Sequence, residues 1–203
     1  MVNLKKGLIG GKTSYWNDNG TWDADSAVSK TAYGELEGFF GGGRAAGSSV
    51  GVYYNNIMPE GDSDNFDVWG AYGSLNLGKW NLLANYENYS DLKENSNGST
   101  DDAEVWIGKL KYGVANFATP KSWDAWVEYL NADQFDIAGT FLGSTNGWRN
   151  DSLTSNVKSW GVGVDYTFAK NAQFQVMQSF ATSAKDGDAD PGEETRAQFV
   201  FVF

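Results

Sequence analysis

Charged side chains that repeat two positions apart are the residues of this sequence best suited to act on a solute. Glu35 and Glu37 form one such pair, and Lys109 and Lys111 form another. Successive residues of an extended strand point to opposite sides, so residues two apart share a side. Each pair would therefore present two like charges on one face of a sheet. Rows of this kind attract or repel passing ions, and they indicate electrostatic selection of solutes.

The chain lacks two of the side chains that enzymes use most often in catalysis, because it has neither histidine nor cysteine. A Ser-His-Asp triad, an imidazole base, a cysteine nucleophile and His- or Cys-ligated metals are therefore excluded. The acidic run from Asp186 to Glu194 has carboxylates at alternate positions, but it lacks the central glycine and final glutamate of a calcium-binding loop. We expect a solvated acidic loop, no catalytic residues, no metal, no cofactor and no enzymatic activity.

Composition narrows the class of protein further. The chain has 15 Lys and Arg against 26 Asp and Glu, a net charge of -11, whereas proteins that bind duplex nucleic acid use clustered cations. No stretch approaches the roughly 20 apolar residues of a membrane-spanning helix. The 25 Gly, 9 Trp, 10 Tyr and 12 Phe, with only 3 Pro, favour many strands joined by turns.

Alternation of apolar and polar residues recurs along the whole chain. In the segment from Trp160 to Phe168, every even position is aromatic or branched apolar, while the odd positions are Gly, Gly, Asp and Thr. A strand places these two sets on opposite faces. Ten segments follow this pattern, near residues 7–15, 32–40, 48–55, 69–77, 80–87, 106–112, 123–131, 160–168, 172–181 and 197–203.

The connections between these segments alternate in length. Long polar stretches fall near 16–29, 56–65, 89–102, 132–156 and 182–194, and short ones near 41–46, 77–79, 113–121 and 168–171. In an antiparallel sheet this places every long connection at one edge. We therefore predict an all-β fold, an antiparallel transmembrane β-barrel of about ten strands with long extracellular loops and short periplasmic turns. Residues 1–203 would form one domain.

A soluble sandwich or lipocalin-like barrel would also alternate, and two features favour the membrane barrel instead. Charges in mid-strand on the opposite face are costly in a buried core but tolerated in a wet interior. Aromatic residues also stand near the strand ends of the apolar face, as an interfacial girdle requires. The predicted membrane girdle consists of Trp80, Trp123, Trp160, Tyr166, Phe168 and Phe203.

The polar face of the predicted barrel supplies the candidate functional residues. Two interpretations remain open: the charges line an open pore, or they pair with one another and with Arg44 and fill the interior. Eight-stranded barrels are filled and sixteen-stranded ones hold a channel, so ten strands decide neither. The predicted pore-lining residues are Glu35, Glu37, Lys109, Lys111, Glu128, Asp165 and Arg196.

Three segments, which lie within about residues 120 to 203, resemble a known family. They are Ser122 to Asn131, Gly147 to Asn150 with Asn156 to Asn171, and Thr195 to Phe203, and they look like the C-terminal β-barrel of the OmpM-type outer-membrane porins. In that family an S-layer-homology domain and a coiled-coil stalk tether a trimeric pore to the cell wall. We see neither of these in the sequence, so we expect the C-terminal part or a minimal version of a larger porin.

The resemblance and the pattern together imply a bacterial outer-membrane porin for passive diffusion of small hydrophilic solutes and ions. The alternative is a plugged structural barrel that acts as a membrane anchor or a surface-recognition scaffold. Phe203 ends an alternating aromatic strand, which is similar to the signal read by the barrel-insertion machinery. The other expected partners are outer-membrane lipids and, from the resemblance, two further copies in a homotrimer. Both chain ends would be periplasmic.

Overall fold

The computed structural model describes residues 2–12, 28–58, 66–90, 102–133, 156–187 and 189–203. These residues form an all-β structure whose only helical element is a 3-10 turn, Gly43–Ala45. No helix in the described part of the chain has the length and apolar character needed to cross a membrane. The strands are β1 Val2–Lys12, β2 Val28–Phe40, β3 Ser48–Met58, β4 Phe66–Leu77, β5 Trp80–Ser90, β6 Ala103–Gly113, β7 Trp123–Ala132, β8 Val157–Ala169, β9 Ala172–Ala184 and β10 Thr195–Phe201.

The strands form one sheet in which each pairs antiparallel with its neighbour in sequence, from β1 through β10. This order suits chain segments that are joined one after another without crossover helices. Among the described residues, β1 and β10 are the edge strands of the sheet and do not pair with each other. The prediction of an antiparallel all-β fold is therefore confirmed.

The first strand lies earlier in the sequence than the pattern predicted. We predicted it near residues 7–15, whereas β1 begins at Val2 and pairs that residue with Gly38 of β2. A start at residue 7 would leave the backbone of β2 from Gly34 to Gly38 without a partner on that side, and backbone groups in sheets are almost always paired. Residues 13–15, the end of the segment that we predicted as the first strand, lie outside the described residues.

The two faces of the sheet differ in the way that the alternation predicted. On β8, Trp160, Val162 and Val164 are 42%, 39% and 42% exposed. Their neighbours Ser159 and Gly161 are buried. Soluble proteins bury the apolar set instead. We call the face that carries Trp160 the outer face and the opposite face the inner face.

The connections divide between two edges of the sheet. The residues between strands at one edge are 41–47, 78–79, 114–122 and 170–171, and those at the other are 13–27, 59–65, 91–102, 133–156 and 185–194. We call these the short-connection edge and the long-connection edge. Positive φ angles mark the short turns, at Gly78 (68°) between β4 and β5 and at Asn171 (61°) between β8 and β9. Glycine and asparagine are the residues that adopt this conformation most readily.

One part of the inner face is apolar, which the sequence pattern did not lead us to expect. A buried cluster lies at the long-connection edge of five adjacent strands, and Tyr53 packs against it. Below it toward the short-connection edge, the inner face carries charged and amide side chains. The members of this apolar cluster are Val68, Tyr89, Ala103, Val105, Ile107, Leu130, Ala132 and Val157.

Candidate pore wall

The densest group of charges on the inner face lies on β6 and β7. Lys109 and Glu128 are direct partners in the β6–β7 register. The ammonium nitrogen of Lys109 is 3.5 Å from a carboxylate oxygen of Glu128, whose side chain is almost fully buried. The same nitrogen lies 3.9 Å from the ring centroid of Trp126. The Lys109 cation is therefore held close to the wall by a carboxylate and an aromatic face.

A second ion pair lies two residues nearer the short-connection edge. The ammonium nitrogen of Lys111 is 3.6 Å from Oδ2 of Asp124. That oxygen also accepts a hydrogen bond from the backbone N–H of Ala115, at 2.9 Å. Asp165 of β8 is the direct partner of Asp124 in the register, so both carboxyl groups lie on the inner face. The side chains from these three strands thus form one charged cluster: Lys109, Lys111, Asp124, Glu128 and Asp165.

A separate acidic wall lies on β2 to β5. Glu35 accepts a hydrogen bond of 2.5 Å from the hydroxyl of Tyr72. Glu87 is 1% exposed and accepts hydrogen bonds from the hydroxyls of Tyr53 and Tyr89. Phenol donors satisfy a carboxylate without adding a positive charge. This wall therefore contrasts with the ion-paired cluster on β6 to β8.

Inward-facing aromatic rings on this wall lie across glycines of the neighbouring strand. The register pairs Tyr53 with Gly70 and Tyr72 with Gly51. A Cβ atom at either glycine would overlap the ring opposite it. Because no side chain stands there, each ring lies along the wall and its hydroxyl reaches a carboxylate one strand further on. Trp126 crosses Gly163 in the same way and packs against Met177.

Uncharged amides form the rest of the polar wall, on β8 to β10. Gln198 donates to the side-chain oxygen of Gln175 at 2.6 Å, and Gln173 donates to the hydroxyl of Thr167 at 3.1 Å. Arg196 donates from Nε to the side-chain oxygen of Gln198 at 3.1 Å. The guanidinium group is therefore hydrogen-bonded to the end of a row of amide side chains.

All seven predicted pore-lining residues lie on the inner face, but they are not in one place. Lys109, Lys111, Glu128 and Asp165 belong to the charged cluster, and Arg196 joins the amide row. Glu37 lies on β2, with Gly51 as its partner in the β2–β3 register. Together with Glu35 it belongs to the acidic wall. Prediction from single strands identified the face correctly, whereas the distances between strands required the register.

Sequence reasoning missed two charged residues of the inner wall. Asp124 has the same parity as Glu128 in its strand, and Glu87 alternates with Tyr86, so the signal was present in both cases. Asp124 stood next to Trp123 at the beginning of a strand and was overlooked. Glu87 was assigned to the polar face but not to the functional set. The alternation alone could have found both.

Exposed aromatic residues of the outer face form two rows, which include the five predicted girdle residues within strands; Phe203, beyond the end of β10, is fully exposed. Trp160 lies in the row near the long-connection edge, where its ring centroid is 4.9 Å from that of Tyr129. The other row follows the short-connection edge, where Trp80 lies 4.7 Å from Tyr112. On β8 the two rows are eight residues apart, about 27 Å at roughly 3.4 Å per residue. The residues of the second row that we predicted are Trp80, Trp123, Tyr166 and Phe168.

The acidic loop before β10 binds backbone groups of β9. Asp190 accepts from the backbone N–H of Ala184 at 3.0 Å, and Glu193 accepts from the hydroxyl of Thr182 at 3.0 Å. Among the residues that the structure describes, no group of three or more acidic side chains is arranged to hold a metal ion. The carboxylates of Asp190 and Glu193 therefore have structural partners.

Comparison with known proteins adds no family. No protein-family model matches this chain, and no curated protein matches it either.

Proposed function

We propose that the chain is a bacterial outer-membrane β-barrel that conducts small hydrophilic solutes and ions along its inner face. One observation carries the proposal: on the same strands, exposed aromatic and aliphatic side chains alternate with ionised and amide side chains on the opposite face. Hydrocarbon on one side and water on the other would stabilise both sets. A protein with water on both sides would leave the large apolar surface of the outer face exposed to water.

Closure into a barrel is supported by the way in which the aromatic row crosses the hydrogen-bonded rows. Tyr54 and Trp69 are direct partners, and the next residue in their row is Asn88. The aromatic row continues instead at Tyr86, two residues nearer the short-connection edge, and it steps by two residues again between Asn131 and Tyr129. This drift of about one residue per strand corresponds to a strand tilt of about 35°, as in closed barrels.

The inner wall carries more negative than positive charge. Among the described side chains it has six carboxyl groups and three cations, so we propose that the pore prefers cations. The carboxyl groups belong to Glu35, Glu37, Glu87, Asp124, Glu128 and Asp165, and the cations to Lys109, Lys111 and Arg196.

Conductance in planar lipid bilayers tests the pore. We expect salt-dependent current steps and a reversal potential in a salt gradient that shows preference for cations. Glu37→Gln removes an inward carboxylate and should lower that preference, while Lys111→Gln should raise it. The outward substitution Leu82→Ala is the control and should leave the reversal potential unchanged. A silent bilayer with folded protein would overturn the pore.

A plugged barrel is the second candidate, and the apolar cluster at the long-connection edge favours it. Its members are between 0% and 6% exposed, so that part of the inner face is dry. Such a barrel would serve as a membrane anchor or a scaffold for surface recognition. Protein that shows the heat-dependent shift in gel mobility typical of folded barrels, but that carries no current, would support this candidate.

The resemblance to OmpM-type porins supports the outer membrane as the location, with both chain ends on the periplasmic side. In that orientation the short-connection edge faces the periplasm and the long-connection edge the exterior. Outer-membrane lipids would cover the outer face, and the barrel-insertion machinery would read Phe203 at the end of the chain. Assembly into a homotrimer is proposed from the resemblance alone. The proposals that the chain has no enzymatic activity and binds no nucleic acid rest instead on its lack of His and Cys and on its net charge of -11.

A further inference from the structure

The charged cluster on β6, β7 and β8 holds three carboxyl groups and two ammonium groups. Lys109 contacts Glu128 at 3.5 Å, and Lys111 contacts Asp124 at 3.6 Å. Both cations thus have a carboxylate partner at short distance. Asp165 is the third carboxyl group, and without a further positive charge the cluster is negative by one unit. Asp124 and Glu128 are buried, and an excess negative charge beside them is costly, so one more cation or a proton would stabilise the cluster.

Asp124 and Asp165 face each other at the point where that charge is missing. They are direct partners in the β7–β8 register, so their carboxyl groups lie side by side on the inner face. Two ionised carboxylates in such an arrangement repel strongly. One proton between them turns the repulsion into a hydrogen bond.

Asp124 also has an oxygen that lacks a donor. Its Oδ2 accepts from Ala115 and contacts Lys111, whereas its buried Oδ1 has no hydrogen-bond partner. The residue is 3% exposed, so water does not replace the missing donor. A buried acceptor without a partner costs about 1–3 kcal/mol. A protonated Asp165 would supply an O–H group for it.

Among the described residues, the nearest neighbours of the pair toward β9 and β10 are amides, and the closest cation on that side, Arg196, donates to the second of them, Gln198. Gln175 of β9 is the register partner of Asp165, and Gln198 of β10 is the partner of Gln175. From β6, the charges of Lys109 and Lys111 both act on Asp165. These two cations make a divalent metal ion an unfavourable occupant and leave a proton as the favoured one.

We propose that Asp124 and Asp165 form a proton-binding site that holds one proton between two carboxyl groups and makes the five-residue cluster neutral. Its consequence for transport rests on the proposed pore. Loss of the proton to water adds one negative charge to the wall, so the preference for cations increases as the pH rises. The site itself requires only the arrangement of β6 to β8.

Infrared spectroscopy of the protein in lipid vesicles tests the site without any current. At about pH 5, where most exposed aspartates are ionised, we expect a carboxylic-acid carbonyl band of this site in the wild type. Asp165→Asn should remove that band, because the amide keeps the shape and donates to Asp124 without a titrating proton. Glu87→Gln is the matched control for another buried carboxyl group and should retain the Asp165 band. Spectra of Asp165→Asn and wild type that are identical would overturn the proposal.

Two further readings separate the site from the pore and from a metal. In bilayers, the cation preference of the wild type should rise with pH by more than that of Asp165→Asn. An infrared difference with silent bilayers would sink the pore and leave the proton site standing. Loss of the carbonyl band on addition of millimolar calcium at constant pH would instead identify a cation site and overturn proton binding.

Discussion

At the scale of single residues, the inner wall depends on glycines that allow aromatic rings to lie flat. Gly163 faces Trp126, and the ring occupies the volume that a side chain at this glycine would need. The same relation holds at Gly51 and Gly70. Each of these rings spans three strands, and it lies along the inner face and does not project away from it. The absence of a side chain at three positions therefore shapes the wall.

Gly163→Ala should destabilise the protein by about 1–3 kcal/mol, because the added methyl group overlaps the Trp126 ring. The free energy of unfolding, measured by urea titration in lipid vesicles, reports this loss. Gly108→Ala is the matched control: its Cβ would meet no atom within 4 Å, so its effect should be close to zero. Equal effects of the two substitutions would contradict the flat-ring arrangement.

The alternation in the sequence predicts on which face of the sheet each charged residue lies, but it does not predict which residue stands opposite it. The parity of Lys109 and Glu128 places both on the polar face, and nothing in either segment says that they stand opposite each other. That pairing depends on where the connection from 114 to 122 returns the chain, which sets the register. Asp124 and Asp165, separated by a long connection, were still less accessible to sequence reasoning.

At the scale of elements, the alternation within each strand decides the fold. β8 is the clearest case, since its residues switch between exposed and buried at nearly every step. The irregularities lie in its pairing with β9, between Lys158 and Trp160 and between Thr167 and Ala169. The existence of the strands was predictable from this period of two. The start of β1 was not, because it is set by the backbone groups of β2 that require partners.

Val164→Arg places a charge in the middle of the outer face. If lipid covers this face, the substitution should cost about 2–4 kcal/mol, the range for arginine near the bilayer midplane. Urea titration in vesicles again measures the loss. Lys158→Arg, at the start of the same face, is the control and should change the free energy of unfolding by less than about 1 kcal/mol. A neutral Val164→Arg would argue that water, and not lipid, covers the strand.

At the scale of the whole molecule, the two faces of the sheet differ in polarity. Trp106 is 51% exposed on the outer face, whereas Trp126 is buried on the inner face. Exposed aromatic rows at two heights and charges between them on the opposite side form one consistent arrangement. The proposed barrel would give lipid the first face and water the second.

Tryptophan fluorescence in vesicles of brominated lipid distinguishes these two environments. A variant that retains only Trp106, with the other eight tryptophans changed to Phe, should be quenched strongly, because bromine on the acyl chains reaches the outer face. A variant that retains only Trp126 should be quenched much less. Comparable quenching of both variants would mean that the inner face is not shielded from lipid.

The anchoring of the longest connection has a consequence for how such a protein can diversify. Asp133 and Asn156, which flank residues 134–155, are joined by a backbone hydrogen bond of 3.2 Å, and Lys185 of the next connection pairs with Asp133. Asn156 also accepts from the backbone N–H of Asp186 at 3.0 Å. Because both ends are fixed to the sheet, insertions, deletions and substitutions between them cost little loop-closure entropy. In the proposed barrel, this exterior connection can therefore change by mutation while the strands below keep their pairing.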